Sequence, residues 1–378
     1  MFEVHTINCF QNTGRPNPIH GNMSLHNSIR KQTAFKLQQT PYGCLQMARC
    51  IAAARRFQGS EGRNKGKASR GYESIGSFHG DNIEYLTQML DEEYRSPELP
   101  FVSEVSSDKS LEIKDWNDEF MLDKKWSFMN HGAFGAALRR GHVRANEWRE
   151  FQELQPLRFF DRYLLPHLAH SNRVVAEFIG ADNPGSTTLI QNVTSGMNSV
   201  LSGYARVKKS TNSIVLFDVA YGSVKKMCNY YVGSENVHEV QISSMPTPLS
   251  SDVIIDSLER SLEERKKQTG KSLDGSLLVL DHVTSNTAML MPIETLAEVA
   301  KREGMLVLVD GAHGLLNLNL DMRYLSSVGV DFYITNCHKW LSSPRGAAIL
   351  HCDKSDLRES ILRQPAVISH GIDDGFLR

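Results

Sequence analysis

The sequence predicts an α/β fold over residues 126–378: three layers, with a mainly parallel sheet between two layers of helices. Two patterns predict it. Short apolar runs of strand length alternate with segments of helical period, and several of the runs end in Asp or Thr, where a buried strand would emerge into a polar crevice.

In chain order the strand-like runs are SIVLFD (213–218), SLLVLD (276–281), MLVLVD (305–310), VDFYIT (330–335) and GAAILH (346–351). Between them lies DVIIDSLERSLEERKK (252–267), with apolar residues at three- and four-residue spacing behind a Ser cap. IETLAEVAKREG (293–304) starts after Pro292 and stops at Gly304. Upstream, QNVTSGMNSVLSGYARV (191–207) places Thr194 and Ser195 near the start of a helix. Strands joined by helices run parallel, and ligands of such sheets bind beyond the carboxyl ends of the strands.

At 378 residues, 40% hydrophobic and 8% aromatic, the chain can bury a large core. A net charge of −1 gives no overall case for nucleic acid or an anionic membrane. Locally the charge is uneven: residues 1–80 carry about eight more Lys and Arg than Asp and Glu, and residues 81–125 about eight more acids than bases. The expected organisation is a basic, disordered extension (1–80), an acidic linker or helical segment (81–125) and the folded domain (126–378). Within the extension CLQMARCIAAARRF (44–57) has the pattern of a short amphipathic helix. An Arg-rich, acid-poor start is also a feature of mitochondrial transit peptides, but Glu3 and the lack of Lys or Arg before Arg15 favour a cytoplasmic protein. Cys9, Cys44, Cys50, Cys228, Cys337 and Cys352 show no CxxC pair and read as reduced thiols. No apolar run is long enough for a spanning helix.

The chemistry-bearing residues sit at the ends of the runs. DGAH puts Asp310 and His313 after one strand, and Lys339 of NCHKW follows another. Each has an ordinary reading, as a turn cap or a solvated surface lysine, but in a parallel sheet both face one crevice. Thr194 and Ser195 would stand at a helix N-terminus, where free N–H groups and hydroxyls can bind phosphate or simply cap the helix. Tyr221, just past SIVLFD, can stack on a flat ligand or pack at a strand end. Neither GxxxxGKS nor GxGxxG occurs, which argues against a nucleotide. A phosphate cup, an aromatic plate, a carboxylate for a ring nitrogen and an imine-forming lysine together match pyridoxal 5′-phosphate.

Five segments, FMNHGAFG (128–135), QNVTSGMNSVL (191–201), DHVTSNTAMLMPI (281–293), VLVDGAHG (307–314) and NCHKWLSSPRGAAIL (336–350), carry a resemblance to the class V aminotransferase superfamily of fold-type I pyridoxal-phosphate enzymes. The sequence is most similar to its isopenicillin N epimerase-like branch, near the cysteine desulfurases and C–S lyases. The resemblance implies that Lys339 holds the cofactor aldehyde, Asp310 pairs with the pyridine nitrogen, His313 lies against the ring near its phenolic oxygen and Tyr221 stacks on the other face. It further implies that Thr194 and the backbone of Ser195, helped by His338, hold the phosphate, that Ser285 contacts the phenolic oxygen, and that His131 borders the substrate pocket. Family members continue into a small C-terminal domain that supplies an arginine for the substrate carboxylate. Here SHGIDDGFLR stands about where that domain would begin, so the small domain is expected to be largely missing, with Arg345 or Arg378 left to substitute.

The activity this implies is C–S cleavage of a small amino acid through Lys339, in a homodimer if the interface survives. Epimerisation, which needs a second proton donor opposite Lys339, and transamination stay open. A persulfide-forming desulfurase needs a mobile Cys; Cys337 is too near Lys339 and Cys352 follows a strand, so a direct lyase fits better. A reading of another class is a non-catalytic platform for binding or dimerisation. A metal hydrolase using His282, Asp310, His313 and His338 lacks HExxH spacing, and no metal is expected.

Overall fold

The computed structural model describes residues 83–104, 116–208, 213–245 and 249–363. The expectations for residues 1–80, including the helix at 44–57, and for Arg378 fall outside the described residues. The chain divides into two units, Met1–Cys44 and Leu45–Arg378, and every described residue belongs to the second.

Seven strands among the described residues form one sheet: β1 (Thr187–Ile190), β2 (Ile214–Phe217), β3 (Val237–Val240), β4 (Leu277–Asp281), β5 (Leu306–Asp310), β6 (Phe332–Asn336) and β7 (Ala348–His351). Their order is β1-β7-β6-β5-β4-β2-β3. The pairs from β6 through β5, β4 and β2 to β3 are parallel, and β7 runs antiparallel to both β6 and β1. The apolar runs 213–218, 276–281, 305–310, 330–335 and 346–351 become β2, β4, β5, β6 and β7. Strands β1 and β3 lie at the sheet edges, and TTLI and VHEV are only partly buried, so they lack the continuous apolar signature of the inner strands.

The helices of six residues or more among the described residues are α1 (Ile83–Gln88), α2 (Arg139–Leu154), α3 (Leu164–Phe178), α4 (Val193–Val207), α5 (Gly222–Val232), α6 (Ser251–Thr269), α7 (Ile293–Arg302) and α8 (Met322–Ser327), of which α4 and α5 cover one face of the sheet and α6, α7 and α8 the other. Strand alternation divides the core between two layers. Val215, Phe217, Leu278, Leu280, Val307 and Val309 point one way, toward Leu258 of α6, Leu296 of α7 and Leu325 of α8. Ile214, Leu216, Leu277, Val279 and Leu308 point the other way, toward Met197 and Leu201 of α4 and Cys228 of α5. The three-layer α/β fold expected from the sequence is therefore present. As expected, Ser250 caps α6, its Oγ accepting from Val253 N–H at 3.3 Å.

The acidic segment is partly docked. Arg173 on α3 is 3% exposed, and its Nη1 donates to the carbonyls of Leu86, Thr87 and Met89 at 3.3, 3.0 and 2.7 Å. Its Nη2 pairs with Asp91, and its guanidinium carbon lies 4.2 Å from the Tyr94 ring centroid. These partners engage both terminal nitrogens of the buried guanidinium, while its Nε–H finds no hydrogen-bond partner among the described residues. Among the described residues no helix is long and apolar enough to cross a membrane.

Candidate active site

The parallel strands deliver Asp281, Asp310 and Asn336 at their carboxyl ends, side by side on β4, β5 and β6. Above them is a cavity of about 340 Å³. Thr194, Tyr221, Ser285, Asp310, His313, His338 and Lys339, widely separated in sequence, all line it. Ser195, His131 and Arg345 do not; Arg345 is exposed, and no arginine among the described residues lines the cavity.

Asp310 is 5% exposed, and its Oδ1 accepts from Ala312 N–H at 3.0 Å. Burial raises its pKa, against that hydrogen bond and the pull of Lys339. Beneath DGAHG lies the ring of Tyr333: a Cβ on Gly311 would come within 2.4 Å of that ring and one on Gly314 within 2.1 Å of its hydroxyl, so only glycine lets this loop close. His282 Nδ1 is 2.8 Å from the same hydroxyl, which turns His282 to a structural partner.

Lys339 is half-buried three residues beyond β6. Burial holds its amine below the usual ammonium range, opposed by the charge of Asp310. Its Nζ lies 3.2 Å from His313 Nε2. Burial, and then the charge of Lys339, bring the His313 imidazole down to about 4, so it is neutral at physiological pH. The lysine loop is held from the other side by the turn His131–Phe134, whose Gly135 has φ +67°. A Cβ there would sit 1.6 Å from the His338 carbonyl oxygen, so glycine is required by both conformation and close approach.

At the start of α4 the cap is Asn192, whose Oδ1 accepts from Ser195 N–H at 2.8 Å and Ser195 Oγ at 3.1 Å. Val193 N–H donates to Asn336 Oδ1 at 3.1 Å. The Ser195 amide assigned to phosphate from the sequence is thus engaged by the cap. Thr194, exposed to the cavity, has no partner for its N–H or hydroxyl among the described residues.

Sequence reasoning did not single out Asp281, Asn192, Asn336 or Trp340. Asp281 had a signal, since SLLVLD ends in Asp as MLVLVD does, and Asn192 before VTSG is an N-cap pattern. Asn336 and Trp340 act through contacts with residues distant in sequence, which no local pattern marks. Trp340 donates its indole N–H to His313 Nδ1 at 3.4 Å.

The fold is thus a three-layer α/β sheet with a buried carboxylate and a partly buried lysine lining one cavity. The aminotransferase class V family matches residues 167–369, and the chain belongs to that family. It is 33% identical over 241 residues to a probable L-cysteine desulfhydrase, chloroplastic, of Arabidopsis thaliana, covering 62% of this chain and 49% of that protein. It is 28% identical over 253 residues to the isopenicillin N epimerase of Streptomyces clavuligerus, covering 66% of this chain and 60% of that one. The chain spans about half the length of the desulfhydrases it matches. A solved structure of the cystine C–S lyase C-DES with cysteine persulfide shares the fold, with a TM-score of 0.50 and 21% identity over 62% of this chain and 58% of that one.

Class V aminotransferases use pyridoxal 5′-phosphate, and the residues present fit it. Thr194 offers donors without partners among the described residues at the N-terminus of a 15-residue helix, a position suited to a phosphate. Asp310 is a buried carboxyl with no ion pair among the described residues, which a protonated ring nitrogen would supply. His338 Nδ1 is buried beside the lysine with no hydrogen-bond partner among the described residues.

Proposed function

We propose that this protein is a pyridoxal-phosphate enzyme that cleaves the C–S bond of cysteine or a cystine-like amino acid, with Lys339 as its proton-transfer group. The observation that carries this is the amine of Lys339, depressed by burial, in one cavity with the buried carboxyl of Asp310. The substrate class is supported by relatives named L-cysteine desulfhydrase.

When bound, pyridoxal phosphate withdraws electrons from the Cα of an amino acid, so that a proton can leave there and a substituent can leave from Cβ. Thr194 and the start of α4 would hold the phosphate, Asp310 would keep the ring nitrogen protonated, and Tyr221 would flank the ring. Asn336 and Asn192 fix that helix start by occupying the amides of Val193 and Ser195. Lys339 would hold the cofactor at its aldehyde and would serve as the base for the Cα proton at Nζ; a free amine is the form a general base needs. Phe134, Met197 and Met227 wall the cavity with apolar surface, which excludes water from that proton.

A second copy of the chain is the partner in this reading. The segment leading into the site exposes Met121 (49%), Trp126 (78%), Met129 (88%) and Phe134 (72%), an apolar rim suited to a homodimer contact. Residues 126–378 serve as the cofactor domain, and the location is cytoplasmic.

The test is purified protein with added pyridoxal phosphate. A visible absorption band that borohydride removes, and that Lys339→Ala lacks, is expected, with pyruvate and ammonia formed together with sulfide from L-cysteine or cysteine persulfide from cystine. Absence of the band refutes the cofactor reading. A band with D/L inversion and no pyruvate replaces the lyase by an epimerase, the reading to which the Streptomyces clavuligerus relative points.

A further inference from the structure

Three rings stand in a row above the lysine loop. The His131 and Trp340 rings are 6.3 Å apart and 21° from parallel, and Trp340 and His313 are 6.4 Å apart at 60°. Gly132 lets the row close: a Cβ there would lie 3.3 Å from His313 Cε1 and 3.5 Å from Trp340 Cζ2. At the inner end of the row, the two nitrogens of His313 have different neighbours. Nδ1 faces the Trp340 indole N–H at 3.4 Å, and Nε2 faces Lys339 Nζ at 3.2 Å.

An indole nitrogen donates and never accepts. The His313 Nδ1 it meets must therefore present a lone pair, which in a neutral imidazole leaves the single proton on Nε2. We propose that Trp340 is a positioning residue that holds His313 as its Nε2–H tautomer and so aims an N–H donor at the amine of Lys339. A donor at Nε2 is matched by an amine lone pair and opposed by an ammonium, which carries hydrogens alone. The opposite arrangement, Lys339 as ammonium donating to Nε2, would put the imidazole proton on Nδ1, against the indole N–H. The two networks exclude each other, and the indole selects the one in which Lys339 is a free amine before any ligand arrives.

The catalytic meaning of this rests on the proposed pyridoxal-phosphate chemistry, but the tautomer itself does not. It is read in cofactor-free protein labelled with ¹⁵N-histidine, by long-range ¹H–¹⁵N correlation near neutral pH. The wild type is expected to show a lone-pair nitrogen at Nδ1 of His313 and a protonated Nε2. Trp340→Phe keeps an aromatic ring and removes the donor, and it is expected to show a mixture of tautomers at His313 while the signals of histidines other than His131, which stacks on Trp340, stay in place. A wild-type His313 protonated on Nδ1 overturns the proposal without any variant having to fold, and an unchanged single tautomer in Trp340→Phe also overturns it. In protein with added cofactor, loss of one net hydrogen bond's worth of ordering is expected to weaken pyridoxal-phosphate affinity roughly three- to tenfold in Trp340→Phe. Failure of the wild type to bind cofactor at all would refute the functional reading while leaving the tautomer result as measured.

Discussion

Asp281 and Asp310 stand directly opposite one another at the ends of adjacent parallel strands, both buried and both facing one cavity. Burial, and then the charge of Asp310, push the Asp281 carboxyl up to about 8, while the N–H of Tyr221 hydrogen-bonds to it and pulls it down. Asp281 thus ties the loop that carries Tyr221 to the floor of the site.

The pair has a consequence for stability. The folded carboxyl of Asp281 holds its proton to about pH 8, whereas in the unfolded chain it releases it near 3.8. Its contribution is fully present below the unfolded value and is lost as pH rises through that window. Asp281→Asn keeps an oxygen for Tyr221 N–H and cannot ionise. Cofactor-free Asp281→Asn is therefore expected to gain stability over the wild type between pH 5 and pH 8, by roughly 1–4 kcal/mol. Urea unfolding at both pH values measures it; a difference that stays constant would show that the Asp281 carboxyl is not raised in the folded protein.

Replacing Lys339 separates chemistry from folding. In Lys339→Ala, pyruvate release is expected to fall by roughly three orders of magnitude or more. Stability should be unchanged or higher, because an amine held partly out of water is removed. Thermal unfolding and the pyruvate assay, run on the same preparation, check both halves. Substantial retained turnover would remove Lys339 from the mechanism.

Gly135 and Gly222 form a matched pair of tests. A methyl on Gly135 meets the His338 carbonyl at 1.6 Å in a left-handed backbone, whereas one on Gly222 meets nothing within 4 Å. Gly135→Ala is expected to cost about 2–4 kcal/mol and to weaken cofactor binding, through displacement of the lysine loop. Gly222→Ala should stay within about 0.5 kcal/mol of the wild type. Equal behaviour of the two in denaturant titration would contradict the close approach.

Arg173→Met tests the docked acidic segment. Three carbonyls lose their buried donor, and Tyr94 loses the cation against its ring. We expect limited proteolysis within residues 83–104 to accelerate at least tenfold, with a loss of about 2–4 kcal/mol in stability. Unaltered cleavage would mean that other contacts hold the segment.

The legible parts of this protein share one physical cause. Inner strands buried on both faces must be apolar throughout, so β2, β4, β5, β6 and β7 stand out, while TTLI and VHEV, half exposed at the edges, do not. The meeting of residues in one cavity was legible where each stands just past a strand end, as with Asp310, His313 and Lys339. It was illegible where a residue matters only for what it touches. Asn336 reads as the polar end of a strand until its carboxamide is seen accepting from Val193 N–H, and Trp340 reads as an ordinary apolar residue until its indole meets His313.

By itself the sequence determined the layers, the mainly parallel sheet and seven of the residues that line the cavity at its carboxyl edge, because burial on both faces and the strand–helix alternation are written in local composition. Only the tertiary structure decided that Asp281 faces Asp310, that Ser195 is turned to its cap while Thr194 is open, that Gly135 lies against the lysine loop and that His313 stands between Trp340 and Lys339. Strand register and loop packing set those contacts, joining segments far apart in the chain, and no local periodicity encodes them.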